Sequence, residues 1–158
     1  MIEENLHEVL RSIEESRAKR TIADAKEPVR LVAVTKNHGV AEMREAIAHG
    51  VTDIGENRIQ EAREKFETLE RTAVWHLIGH LQKNKAKYAV KLFDLIHSVD
   101  TLELAEALDK EAGKIGKRQD VLVQVNLAKE ASKSGIYEED LQPLLEAVDA
   151  LPHLRLRG

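Results

Sequence analysis

Lys36 closes the stretch "VRLVAVTK", residues 29 to 36, which is otherwise largely apolar and β-branched. A lysine at the end of a strand is more often a solvated cap than a reagent, because lysine is rarely buried. Its sharper reading is chemical. At the mouth of a barrel an amine is partly desolvated, and desolvation lowers its pKa. A neutral amine attacks an aldehyde carbon and forms a Schiff base.

Other apolar runs also end on polar residues. "GENR" places Asn57 after Gly55, and "HLIGHLQKNK" places His80, Gln82 and Asn84 after Gly79. "HSVD" supplies Ser98 and Asp100, and "QVNLAKEASKSG" supplies Gln124, Asn126, Lys133, Ser134 and Gly135. Each has an ordinary reading. Asn57 suits a helix N-cap. His80 and Gln82 suit a polar loop. "KSG" lacks the upstream glycine spacing of a phosphate loop. His76 lies within a run and reads as a hydrogen-bonded interior histidine. Taken with Lys36, asparagine and histidine can instead hydrogen-bond the oxygen atoms of a bound aldehyde. Pyridoxal 5'-phosphate (PLP) is the common biological aldehyde held by a lysine. An aldolase-type carbonyl substrate is the other possibility.

Metal chemistry has little support. His76 and His80 are four apart, but Gly79 and a strand-to-loop change separate them, and no carboxylate stands beside them in sequence. Glu56 and Asp100 are the acid-base candidates at the strand ends. Tyr88 and Tyr137 fall in helical patterns or at their starts.

These residues need a scaffold that brings strand ends together. Residues 2 to 20 read as an amphipathic helix, with Ile2, Leu6, Val9, Leu10 and Ile13 near a 3.6-residue period. Short apolar runs then begin near residues 30, 51, 73, 93, 120 and 153, separated by helical patterns. "LQKNKAKYAVKL" is one such pattern, read as a single helix. Strand and helix in alternation predict an α/β fold with a parallel sheet. In such folds ligands bind at the C-terminal strand ends. The first turn, "TKNHGVAE", has no glycine-rich dinucleotide fingerprint. Two architectures fit, an open doubly wound sheet and a (β/α)8 barrel; a barrel needs eight strands and the pattern supplies about six, so a fragment of a longer barrel is expected.

The chain has 158 residues, 42% hydrophobic and 33% charged, as expected of one globular domain. A net charge of -4 makes no case for nucleic acid or an anionic membrane surface. No apolar run approaches a bilayer span, and the acid-rich N-terminus lacks the core of a signal peptide. The absence of cysteine excludes thiol chemistry and fits a cytoplasmic setting.

"LVAVTKNHGVAEMREAIAHGVTDIGENRIQEAREK", "WHLIGHLQKNK", "IHSVDTLELAEALDKEA", "VLVQVNLAKEASKSGI" and "LRLRG" resemble, in order, the YggS/PROSC family of pyridoxal phosphate homeostasis proteins. The resemblance implies a TIM-type barrel of the alanine racemase N-terminal kind. It identifies Lys36 with the PLP lysine, Asn57 with a residue beside the cofactor, and Lys133 with a loop lysine near the pocket mouth. With the strand-end reading, the expected PLP site is Lys36, Asn57, His80, Ser98, Asn126 and Lys133. The implied role is vitamin B6 homeostasis, in which PLP is bound, buffered or delivered without robust catalysis. PLP-dependent apoenzymes are the implied recipients, and the full-length protein is expected to be a monomer. A racemase or decarboxylase-like enzyme and a non-binding barrel fragment are the alternatives.

Two departures stand out. A second lysine often found in the family two residues after the first is His38 here. The family also continues past the position of Gly158, where the last strands and the phosphate-cradling loops at helix N-termini lie. Residues 1–158 are therefore expected to form one PLP-binding barrel domain, incomplete at its C-terminus.

Overall fold

The computed structural model describes residues 1–21 and 27–158. Helix α1 (Ile2–Ala18) precedes a regular alternation. It runs β1 (Val32–Val34), α2 (Val40–Ala48), β2 (Asp53–Glu56), α3 (Ile59–Leu69), β3 (Val74–Leu77) and α4 (Ala86–Leu92). It continues with β4 (Leu95–Val99), α5 (Leu102–Lys114), β5 (Gln119–Val123), α6 (Glu138–Asp149) and β6 (Leu154–Leu156). The six strands are parallel and lie in the order β1-β2-β3-β4-β5-β6. A doubly wound sheet reverses its order at a switch point. Unbroken order is that of a barrel, here an open arc with β1 and β6 at its edges.

Parity decides which face each side chain takes. Ile54, Trp75, Leu77, Ile96 and Val121 are fully buried, and the strand register puts them on one face, beneath the helices. The opposite parity gives the concave face, the lumen: Val34, Asp53, His76, His97, Asp120 and Arg155. That face is largely polar; Val34 is 49% exposed, whereas Asp53 and His76 are buried.

The helices follow their sequence signals. Thr101 caps α5 by accepting a hydrogen bond from the Leu104 amide at 3.2 Å, and Leu104, Ala105, Leu108 and Ala112 form its buried stripe. The single helix expected over residues 81 to 92 is divided: Lys83–Lys85 form a 3-10 turn, and α4 begins at Ala86. Beyond α4, the Lys117 ammonium donates to the carbonyls of Val90 and Phe93 at 2.6 and 2.7 Å. Burial pushes its pKa down to about 8, against the pull of Asp94. Among the described residues no helix is long and apolar enough to cross a membrane.

The two faces differ in what they contribute to stability. Leu77→Ala opens a cavity in the closed layer and is expected to cost about 2–5 kcal/mol. Val34→Ala, on the open face, is expected to stay within about 0.5 kcal/mol. Urea unfolding of the two variants beside the parent chain measures both.

Candidate functional site

The strand ends meet on one rim, but not all expected residues are presented there. Lys36 lies two residues past β1, in the turn that follows Thr35. It shares the lumen parity of Val32 and Val34. Its ammonium makes no hydrogen bond or ion pair among the described residues. Lys36 is exposed rather than partly desolvated as expected. The reason is geometric: an open arc does not enclose its own mouth.

Asn57 is half-buried and is not the N-cap of α3; Arg58 holds that position. Its side-chain amide makes no hydrogen bond among the described residues and so stays available. Gly79 packs directly on it. A Cβ at residue 79 would lie 2.4 Å from the Asn57 carbonyl oxygen, so only glycine permits this approach. His80 follows, exposed, with Nδ1 3.1 Å from the Ser134 hydroxyl. That contact joins the loop after β3 to the loop after β5. His80, Gln124, Asn126, Lys133 and Ser134 line a rim cleft of about 350 Å³.

Two expected ligands are turned to other work. Ser98 is fully buried, and its hydroxyl has no partner. The β4–β5 register shifts between Ile96 and Val99, so strand parity does not carry over to Ser98; its burial is what keeps it from open contact at the mouth. Asn126 is buried, and its side-chain amide donates to the carbonyls of Glu130 and Lys133 at 2.9 and 3.4 Å. It organises the loop instead of offering free donors. Asp100 accepts from the Gly135 amide at 3.1 Å and fastens the same loop. Lys133 is exposed at the cleft and pairs with Glu130 at 3.0 Å.

Behind the Lys36 turn lies a polar cluster that sequence reading missed. Lys65 on α3 is buried, with its side chain 8% exposed. Its ammonium donates to the Thr35 carbonyl at 2.8 Å, to Glu56 Oε1 at 2.6 Å and to Glu61 Oε1 at 2.7 Å. The Thr35 hydroxyl also donates to Glu56 Oε1, at 2.7 Å. Glu56 is thus committed to an ion pair and is not a free acid or base. The lysine hydrogen bond is the main force holding Glu61 below the ordinary carboxylate range. A signal was available: Lys65 falls within the buried stripe Ile59, Ala62, Lys65, Leu69. A charged residue there needs a buried partner.

The lumen holds a second unforeseen network. His76 Nε2 lies 2.7 Å from Asp53 Oδ2, and His76 Nδ1 lies 2.8 Å from His97 Nε2. His76 is therefore a hydrogen-bonded interior histidine. The carboxylate thought absent is present, brought from the neighbouring strand by the pairing of β2 with β3. With Asp53 accepting, His76 donates through Nε2 and accepts from His97 through Nδ1. A larger cavity of about 980 Å³ opens at the other, N-terminal ends of the strands, lined by Leu6, Leu10, Arg30, Asp53 and His76 among others. Lys36 lines neither cavity.

This arrangement can be placed among known proteins. Residues 13–158 match the family described as "Alanine racemase, N-terminal domain". A pyridoxal phosphate homeostasis protein of Pasteurella multocida is 35% identical over 163 residues, covering 99% of this chain and 68% of that protein. The chain belongs to the pyridoxal phosphate homeostasis proteins. Within that family, the Pseudomonas aeruginosa homeostasis protein is 45% identical over 131 residues, covering 82% of this chain and 57% of the relative. The chain thus spans roughly three fifths of the length of these curated relatives. PipY of Synechococcus elongatus, solved without PLP, superposes with a TM-score of 0.87 at 39% identity, over 100% of this chain and 69% of PipY. PipY has also been solved with PLP bound, and that structure superposes at 0.81. Alanine racemase of Clostridium difficile, at 20% identity and a TM-score of 0.68, shares the fold.

Burial, and then repulsion between its added proton and the neighbouring His76 ring, hold the His97 pKa below the usual histidine value. The unfolded chain then binds a proton at His97 at a higher pH than the folded chain does. Stability from this residue is present above about pH 6.5, the unfolded histidine value, and falls as pH drops below it. Unfolding free energies from neutral to mildly acid pH should show this loss, and His97→Gln should reduce it. NMR titration should put the His97 midpoint below that of an unfolded peptide.

Proposed function

We propose that this chain binds PLP through a Schiff base at Lys36 and buffers or supplies it to PLP-dependent apoenzymes, with residues 1–158 acting as one binding unit. The observation that carries the reading is the exposed, unpartnered amine of Lys36. It follows β1, the strand next to the one that Asn57 follows, in a chain 39% identical to a protein solved with PLP bound. PLP supplies an aldehyde, which condenses with an amine by forming a C–N bond and releasing the carbonyl oxygen as water.

The residues present fit the aldehyde end of that group. Lys36 offers a nucleophile that no carboxylate competes for. Asn57 offers both a donor and an acceptor to ring or aldehyde oxygen atoms. His80 and Lys133 stand at the rim cleft, where they attract an anionic ligand. At the N-terminus of α2, the first helix after Lys36, the Glu42 carboxylate accepts from the amide of the N-cap Gly39 at 2.9 Å and places a negative charge there. Carrier rather than enzyme is the reading supported by the fates of the acid-base candidates. Glu56 is paired with Lys65, Asp100 holds a loop, and Tyr88 and Tyr137 belong to α4 and the start of α6.

Incubation with PLP, borohydride reduction and peptide mapping test the proposal. The parent chain should carry the reduced adduct on Lys36. Lys36→Ala should lose it while its unfolding free energy stays within about 0.5 kcal/mol, as for other exposed positions. An adduct confined to other lysines, or Lys36-dependent racemisation of amino acids, would overturn it.

A further inference from the structure

We infer that Lys65 is a positioning residue for Lys36: one buried ammonium holds the peptide groups on both sides of the reactive lysine. The inference rests on the cofactor reading above for its purpose, but on its own geometry for its existence. The peptide before Lys36 is gripped through its carbonyl, Thr35 O, which accepts from Lys65 Nζ at 2.8 Å. The peptide after Lys36 is gripped through its amide, Asn37 N–H, which donates to Glu61 Oε1 at 2.7 Å. That same carboxylate oxygen accepts from Lys65 at 2.7 Å. Both flanking peptides are thus tied to one nitrogen atom.

The turn between them needs such a grip. Asn37 has φ 64°, in the left-handed region, which asparagine takes more readily than other non-glycine residues but still at some cost. Such a conformation persists where its surroundings enforce it. The His38 amide closes the turn by donating to Thr35 O at 3.1 Å, the carbonyl that Lys65 already holds. Lys65 is itself fixed. It emerges from the buried stripe of α3, and Glu56 Oε1 holds it from β2 at 2.6 Å.

The placement is on the far side of the sheet. Thr35 and Glu56 have the helix-face parity, and Lys36 has the lumen parity. Lys65 therefore cannot meet a ligand in the lumen; it acts through the backbone. It sets the origin and direction of the Lys36 Cα–Cβ bond and leaves the outer torsions of the side chain free.

A purely structural ion pair would predict a different response to its removal. Lys65→Met alone strands the buried carboxylate of Glu56, so Lys65→Met/Glu56→Gln removes the charge as well. Glu61→Ala, at a partly exposed position, cuts only the Asn37 arm. Three quantities are measured on the full chain: melting temperature, hydrogen exchange of the Asn37 amide without ligand, and the rate of borohydride-trapped PLP attachment at Lys36. The double variant should melt near the parent, yet exchange Asn37 faster and trap PLP roughly tenfold more slowly, as expected when a reacting group is misplaced. Glu61→Ala should shift exchange and trapping in the same direction. It decides the matter if the double variant does not fold. Folded variants with parental Asn37 exchange and parental trapping rate would overturn the inference. A parent chain that traps no PLP would overturn the cofactor reading instead. Asn37 exchange and acetylation of Lys36 by acetic anhydride would then still distinguish a held turn from a loose one.

Discussion

The site depends on one buried ammonium between a sheet and a helix. Lys65 joins the end of β1, the end of β2 and helix α3 through three oxygen atoms. Burying an ammonium and a carboxylate costs several kcal/mol per ion before their attraction is counted. The pairing here is one-sided, since Glu56 Oε2 has no partner among the described residues. Such a pair is a poor source of net stability. It does specify geometry, because no other neighbour could satisfy the buried lysine as well. The chain thus accepts a costly interaction next to the one turn whose direction matters for Lys36.

Alternation along the strands separates the work. Side chains beneath the helices hold the sheet together, and side chains of the other parity face the lumen. Lys36 and Thr35 are consecutive, yet Thr35 is buried against the Lys65 cluster and Lys36 is exposed. Beyond the strands parity no longer applies, and the loop after β5 is ordered by explicit hydrogen bonds, which Asp100 accepts and Gln124 and Asn126 donate. His80 then ties that loop to the end of β3.

Much of the fold was legible in the sequence. The apolar runs mark all six strands within a few residues, and the unbroken strand–helix rhythm points to a parallel barrel-type sheet. Lys36 was legible as well, since a lysine at the end of such a run is conspicuous. What could not be read depended on register and on neighbours distant in sequence. Asp53 meets His76 only because β2 pairs with β3 in one register. Ser98 looked like a rim residue because it sits late in its run; its face depends on local strand geometry, and the ladder shifts between Ile96 and Val99. Lys65 was overlooked because lysine on a helix is usually solvated. Its place on the apolar stripe was the overlooked clue.

The polar lumen has a thermodynamic consequence. Exposing apolar surface raises the heat capacity of unfolding, and exposing polar surface lowers it. Only one face of this sheet is apolar; the other carries Asp53, His76, His97, Asp120 and Arg155, of which Asp53 and His76 are buried. Its heat-capacity increment per residue therefore belongs at the low end for globular chains, about 12 cal/mol/K. A small increment flattens the curve of free energy against temperature. At a given melting temperature and unfolding enthalpy, a smaller increment raises the free energy of unfolding at every lower temperature and pushes cold unfolding further down.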